Sequence, residues 1–185
     1  MTERPTPARD PLAPTDRGTG PTARDERYEI RILTDGTWTY HGSPIRRPEL
    51  VRLFATVLRR DEAGDHWLIT PAERGRIVVD DAPFVAVAAE RHGTGPDQTV
   101  VFRTNLDETV AADADHPVLV RGDGGTGAPR PYIVVRDGLE ARIGRPVFYD
   151  LVEWAEVAAD GSGSGVWSGG TVFPLGRIDP DGRLP

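Results

Sequence analysis

The chain contains no lysine and no cysteine, and its one methionine is Met1, so all 22 of its basic side chains are arginines. Lacking lysine, it cannot supply a Walker-type phosphate lysine, the strand lysine of a protein kinase or the amine of a Schiff base. Lacking cysteine, it has no thiol nucleophile, no thiolate for zinc or an iron–sulfur cluster, and no disulfide. What stays open is Ser/His/carboxylate catalysis, a site of oxygen or imidazole ligands, or binding without chemistry. Basic charge is scarce as well. Against 29 acidic residues the formal charge is −7 and the isoelectric point is near 5.1. That balance argues against a nucleic-acid polymer as partner, because phosphate-backbone binding needs a basic footprint that releases counterions. It leaves room for one small anion held by a local group of arginines. Long apolar runs are also missing: Phe84 to Ala89 has a strand's length, not the roughly 18 residues of a membrane span. The start, Met1-Thr2-Glu3-Arg4-Pro5, has neither the basic nor the apolar region of a secretory signal, so no membrane and a cytoplasmic location are expected.

Proline and glycine, by contrast, are plentiful at 17 and 21 residues, and they divide the chain. Residues 1–27 carry Pro5, Pro7, Pro11, Pro14 and Pro21 with almost no large apolar side chain beyond Leu12, a composition that predicts a disordered tail. From Tyr28 the pattern changes. Tyr28, Ile30 and Ile32 alternate with Glu29 and Arg31, Asp35-Gly36 follows, and Trp38 and Tyr40 alternate with threonines, predicting a hairpin with a two-residue turn. Leu50, Val51, Leu53, Phe54, Val57 and Leu58 then recur at helical spacing between Pro48-Glu49 and Arg59-Arg60, predicting an amphipathic helix with suitably charged ends. Thr70-Pro71-Ala72-Glu73 has the pattern of a capping box on a short helical turn. Strands are expected at 66–69, 76–80, 84–89, 98–104, 109–112 and 117–121, mainly antiparallel.

From Tyr132 the chain repeats an order it has already used. Ile133 to Val135, Asp137-Gly138, a short strand, Gly144, Pro146 and a helix through Leu151-Val152 follow the first unit at 102 residues from Asp-Gly through Pro and at 101 at Leu-Val. Shared order and spacing of turn signals point to a duplication. The predicted fold is therefore α+β: duplicated strand–turn–strand–helix units around a β-rich, mainly antiparallel core. Its expected divisions are a tail at 1–27, an N-terminal α+β unit at 28–84, a C-terminal β-rich α+β unit at 85–176 and a frayed end at 177–185.

These residues also carry a family likeness. Asp35-Gly36-Thr37-Trp38, Pro44-Ile45, Leu50-Val51-Arg52-Leu53-Phe54, Thr70-Pro71-Ala72-Glu73, Asp81-Ala82-Pro83-Phe84, Phe102-Arg103-Thr104-Asn105, Pro131-Tyr132, Gly138-Leu139-Glu140-Ala141, Arg145-Pro146-Val147-Phe148-Tyr149 and Trp167-Ser168-Gly169-Gly170 resemble the bacterial DUF1285 family over residues 28–176. The resemblance implies a duplicated α+β core and a C-terminal unit loosely like a pleckstrin-homology fold. It further implies a small-ligand site, for a nucleotide-like molecule, where the two units meet, and a signalling role without an assigned activity. The N-terminal tail and the Gly/Ser loop at 161–165 depart from the compact family pattern.

The residues offer few alternatives in chemistry. Ser43, Ser162, Ser164 and Ser168 lie outside any Gly-x-Ser-x-Gly elbow, and the histidines at 41, 66, 92 and 116 are scattered, so a Ser168-dependent hydrolase is a distant third reading. Asp113, Asp115 and His116 lack the grammar of an EF-hand and read as a hairpin turn; no metal and no cofactor are expected. Gly122, Gly124, Gly125 and Gly127 join two strands without opening a helix, so a phosphate loop is not expected there. Trp38, Trp67 and Trp154 read as core, whereas Trp167, among glycines and beside Ser168, is a candidate stacking surface. Asn105 can read a base edge or form a turn, and Arg145 can hold an anion or pair with Asp150 or Glu140. The expected site is thus a cleft lined by Thr104, Asn105, Arg145, Tyr149, Trp167 and Ser168, in a non-enzymatic binder of a small anionic ligand. The alternative is a protein–protein interaction module that uses an exposed strand edge.

Overall fold

The computed structural model describes residues 25–122, 129–157 and 163–176; the predicted tail up to residue 24, most of the glycine-rich segment, part of the Gly/Ser loop and the end from 177 lie outside the described residues. The alternation of Tyr28, Ile30 and Ile32 places one face of β1 (Asp25–Ile32) against the core. This strand starts three residues before Tyr28, because Asp25, Glu26 and Arg27 pair in parallel with Arg74, Gly75 and Arg76. β1 also pairs antiparallel with β2 (Trp38–Tyr40), which carries the short β3 (Ser43–Pro44) at the edge. After α1 (Pro48–Thr56) the chain returns as a meander of β4 (Leu58–Arg60), β5 (His66–Ile69) and β6 (Arg74–Val79). The first sheet has the order β3-β2-β1-β6-β5-β4.

The second sheet is built from β7 (Phe84–His92), β8 (Thr99–Thr104), β9 (Thr109–Ala111), β10 (Val118–Arg121), β11 (Arg130–Arg136) and β12 (Leu139–Ile143), in the order β10-β11-β12-β7-β8-β9. All its neighbours are antiparallel except β12 and β7. α2 (Arg145–Glu153) follows, and then a three-stranded sheet of β13 (Glu156–Val157), β14 (Ser164–Ser168) and β15 (Thr171–Gly176). One hydrophobic cluster runs through all three sheets, from Ile30 and Trp38 through Phe84, Phe102 and Ile133 to Val166 and Leu175. The architecture is mostly β with two short helices, within the predicted α+β class.

Three local expectations change. The predicted helix stops at Thr56; Leu58, Arg59 and Arg60 form β4, where Leu58 faces Leu68 and is fully buried. Burial in a sheet outweighs helix propensity at those positions. Thr70 and Glu73 do make half of a capping box, Glu73 N–H donating to Thr70 Oγ1 at 3.2 Å, but the four residues reverse the chain between β5 and β6 instead of starting a helix. The two Asp-Gly turns also differ. At Asp137-Gly138 both residues have positive φ, 46° and 72°, and the turn has two residues, the type predicted for Asp35-Gly36. At Asp35-Gly36 only Gly36 is left-handed (φ 83°); Gly36 N–H bonds Leu33 O and Leu33 N–H bonds Thr37 O, so this hairpin has one residue more. The order hairpin, helix, three-stranded meander does occur twice, but the first hairpin joins its sheet through β1 whereas the second joins through β12.

Candidate functional site

Cross-strand partners put Ile30 with Tyr40, Leu58 with Leu68, and Leu68 with Gly75 on the inner face of the first sheet. α1, nine residues long, buries Val51 and Ala55 and brings Leu50 and Phe54 beside Ile30 and Leu68 of this face. The result is a groove of about 900 Å³, near the top of the range for small-molecule sites. Its floor and walls are Tyr28, Ile30, Leu50, Phe54, Val57 and Leu68. Phe54 is steadied by stacking on the buried Trp38, ring centroids 6.2 Å apart. Tyr28 lies against Gly75 so closely that a β-carbon there would stand 2.2 Å from its ring, which explains a glycine in the middle of a paired strand.

The rim is charged. Arg27, Arg46 and Arg47 line the groove, and among the described residues none of the three has a carboxylate within ion-pair distance. Glu29 and Glu73 share the rim, as does His41, whose ring meets Tyr40 edge-on at 4.2 Å. The Tyr28 hydroxyl is closed off from solvent without a well-formed hydrogen bond. Burial first, then the Glu73 and Glu26 carboxylates, push its pKa up, so the phenol stays protonated. An apolar floor with guanidinium groups at its edge can take a molecule that has an apolar body and an anionic end.

The six residues singled out from the sequence lie on three elements: the end of β8 and the turn after it, α2, and β14. Thr104 is fully buried, and its hydroxyl accepts the Leu106 and Glu108 N–H groups in the turn between β8 and β9. Asn105 stands at the meeting of the two units: its Oδ1 accepts Val85 N–H at 3.0 Å and its Nδ2 donates to Gly36 O at 3.4 Å. Arg145 and Tyr149 lie exposed on α2. Trp167 is half-buried and donates from Nε1 to Glu156 at 3.1 Å. Ser168 is completely buried; its Oγ donates to Ala112 O at 2.6 Å and accepts Val100 N–H at 2.9 Å. The Thr104 and Ser168 side chains are both completely buried and engaged with backbone groups, and no histidine bonds Ser168. Among the described residues no group of three or more acidic or imidazole side chains is placed to hold a metal ion; Asp113 instead accepts the Asp115 and His116 N–H groups in its turn. The groove residues read in the sequence as ordinary core positions, and their one distinguishing mark is Arg46-Arg47 directly before the helix.

Two family models, the N-terminal and C-terminal domains of DUF1285, a family of unknown function, match residues 19–82 and 83–175. The chain belongs to the DUF1285 family. Among solved structures it is similar to a DUF1285 protein from Silicibacter pomeroyi DSS-3, with 40% identity and a TM-score of 0.81, the match covering 90% of this chain and 92% of that one. A DUF1285 protein from Shewanella baltica OS155 is more distant, at 27% identity and a TM-score of 0.53 over 68% of this chain and 91% of that one. No curated protein matches. The DUF1285 boundary at 82/83 falls in the segment between β6 and β7, where Asp81 holds the Tyr132 hydroxyl at 2.7 Å.

Proposed function

We propose that this DUF1285 chain is a non-catalytic binding protein for a small amphipathic ligand, which lies along the groove of the N-terminal unit with its anionic end toward Arg46 and Arg47. The observation that carries the reading is the open groove of about 900 Å³ with an apolar floor and, at its edge, arginines that have no carboxylate partner among the described residues. It keeps the small anionic ligand expected from the sequence and moves it away from the Thr104, Asn105, Arg145, Tyr149, Trp167 and Ser168 set. A regulatory role is supported by how α1 is held. This helix forms one wall of the groove, and the C-terminal unit grips it through the Arg52–Asp107 ion pair and through Arg136 Nη2, which donates to Ala55 O at 2.9 Å. A ligand that moves α1 therefore acts on both units. The repeated hairpin, helix and meander support descent by duplication, and the second sheet followed by α2 supports the loose pleckstrin-homology likeness of the C-terminal unit.

The test is titration with 8-anilinonaphthalene-1-sulfonate, an apolar aromatic with one sulfonate, followed by displacement with decanoate, decylamine or AMP. Saturable fluorescence is expected, displaced by decanoate and not by decylamine, and lost in Leu50→Glu, which places a carboxylate on the groove wall. Displacement by AMP would identify a nucleotide-like ligand. No saturable signal, or a signal unchanged in a folded Leu50→Glu protein, defeats the proposal.

A further inference from the structure

A second concavity, of about 420 Å³, opens beside β5 and β6 under the turn that joins β4 to β5, and charged side chains dominate it: Arg27, Arg60, Asp65, His66, Arg76 and Asp81. Its two carboxylates are already matched. Asp65 pairs with Arg76, and Asp81 accepts the Tyr132 hydroxyl and lies 3.6 Å from Arg142. Its other two arginines are not matched. Arg27 has no ion-pair partner among the described residues, and Arg60 has one bond, to the Gly138 carbonyl at 3.2 Å, which leaves most of its donors free. Register worsens the imbalance, because Arg27 sits directly beside Arg76 on the parallel neighbours β1 and β6, and like charges in that relation destabilise a sheet unless something neutralises them. Of the neighbouring acids, Glu140 is held bidentately by Arg121, while Asp61, which accepts the Trp67 indole N–H, keeps its charge but forms no ion pair with Arg27 or Arg60 among the described residues.

Three guanidinium groups and two carboxylates line the pocket, a surplus of one positive charge. The unmatched donors of Arg27 and Arg60 suit the oxygens of a phosphate monoester or hydrogenphosphate, which carries roughly −1.5 to −2 near neutral pH. Guanidinium forks from three strands surround a tetrahedral oxyanion better than they do a planar carboxylate. His66, half-buried at the back of the pocket, adds an imidazole that can donate or accept. We propose that this pocket binds a phosphate group, supplied either by inorganic phosphate or by the phosphomonoester end of a small metabolite. The site is separate from the apolar groove, although Arg27 lines both.

Arg60 and Arg76 discriminate, since neither lines the groove. Isothermal titration of the full chain at low salt uses inorganic phosphate in one arm, ribose 5-phosphate in a second and acetate as the planar control. Arg60→Gln and Arg76→Gln are run beside wild type, with the melting temperature of each variant as the check on folding. Saturable phosphate binding is expected, weakened about tenfold or more in a folded Arg60→Gln protein and not reproduced by acetate. Binding of both compounds assigns the site to the bare phosphate group; binding of ribose 5-phosphate alone assigns it to the phosphate end of a larger molecule. No heat from either at 10 mM, equal binding of acetate, or unchanged affinity in folded Arg60→Gln and Arg76→Gln overturns the proposal, whatever the sulfonate titration of the groove gives.

Discussion

Ser168 reaches the core because its hydroxyl completes two backbone bonds between β8 and the segment after β9, joining sheets that share no ladder. Removing it leaves Val100 N–H and Ala112 O buried without partners. Ser168→Ala is expected to lower unfolding free energy by about 1–3 kcal/mol, measured by urea denaturation, while sulfonate binding in the groove stays at the wild-type level. His66 supplies the pH-sensitive element. Burial, and then the Arg60 guanidinium, hold its pKa below the ordinary value of 6.5, with Asp65, Asp61 and Glu140 pulling the other way. The imidazole is therefore neutral in the folded chain. Its contribution to stability is complete above pH 6.5 and is lost as the pH falls through the depressed folded value, because the unfolded chain takes up the proton first. Melting temperatures between pH 8 and pH 5 should fall more steeply for wild type than for His66→Asn; parallel curves would remove His66 from the acid response.

At the scale of elements, α1 matters most, because one face of it makes the groove and its C-terminal end is held by the other unit. Arg136 caps that end from β11, donating to Ala55 O, pairing with Glu108 at 3.1 Å, and lying over the Phe84 ring at 5.2 Å. Arg136→Ala is expected to cost about 1–3 kcal/mol and to increase hydrogen exchange in the last turn of α1, read by mass spectrometry. An exchange change confined to β11 would show that the two units are not joined through this arginine. Elements were legible in the sequence where periodicity and burial agree. The apolar spacing of Leu50, Val51, Phe54 and Val57 placed α1, alternation placed β1, and the apolar run from Phe84 to Ala89 placed β7. Legibility failed at the residues after Thr56, since nothing local marks Leu58 as the partner of Leu68. It failed again at Asp35-Gly36, because the same dipeptide serves two turn geometries and the flanking register chooses between them.

For the whole molecule, the two DUF1285 units are joined by polar bonds that each need both: Asn105 to Gly36, Tyr132 to Asp81, Arg60 to Gly138, and Arg136 to Ala55. The apolar cluster also crosses the boundary. A single unfolding transition is expected, so fluorescence of Trp38 in the first unit and of Trp154 in the second, each isolated by replacing the other tryptophans with Phe, should give the same urea midpoint. Midpoints that separate would mean two independent domains.

Absences in the sequence by themselves settled much about this protein. Without lysine and cysteine no structure can restore a thiolate or a side-chain amine nucleophile, and a surplus of acid disfavours a polymeric phosphate backbone, because these follow from composition alone. The identity of most strands and of α1 was also local, resting on the period of the apolar residues. The placement of sites was not. Whether a hydroxyl or a guanidinium is available depends on which backbone groups and carboxylates lie beside it, and those come from far along the chain. Only the tertiary structure buried Ser168 and Thr104 and tied Ser168, Thr104 and Asn105 to backbone groups. Only it set Arg27, Arg46, Arg47 and Arg60 at the edges of two concavities, with no carboxylate partner among the described residues.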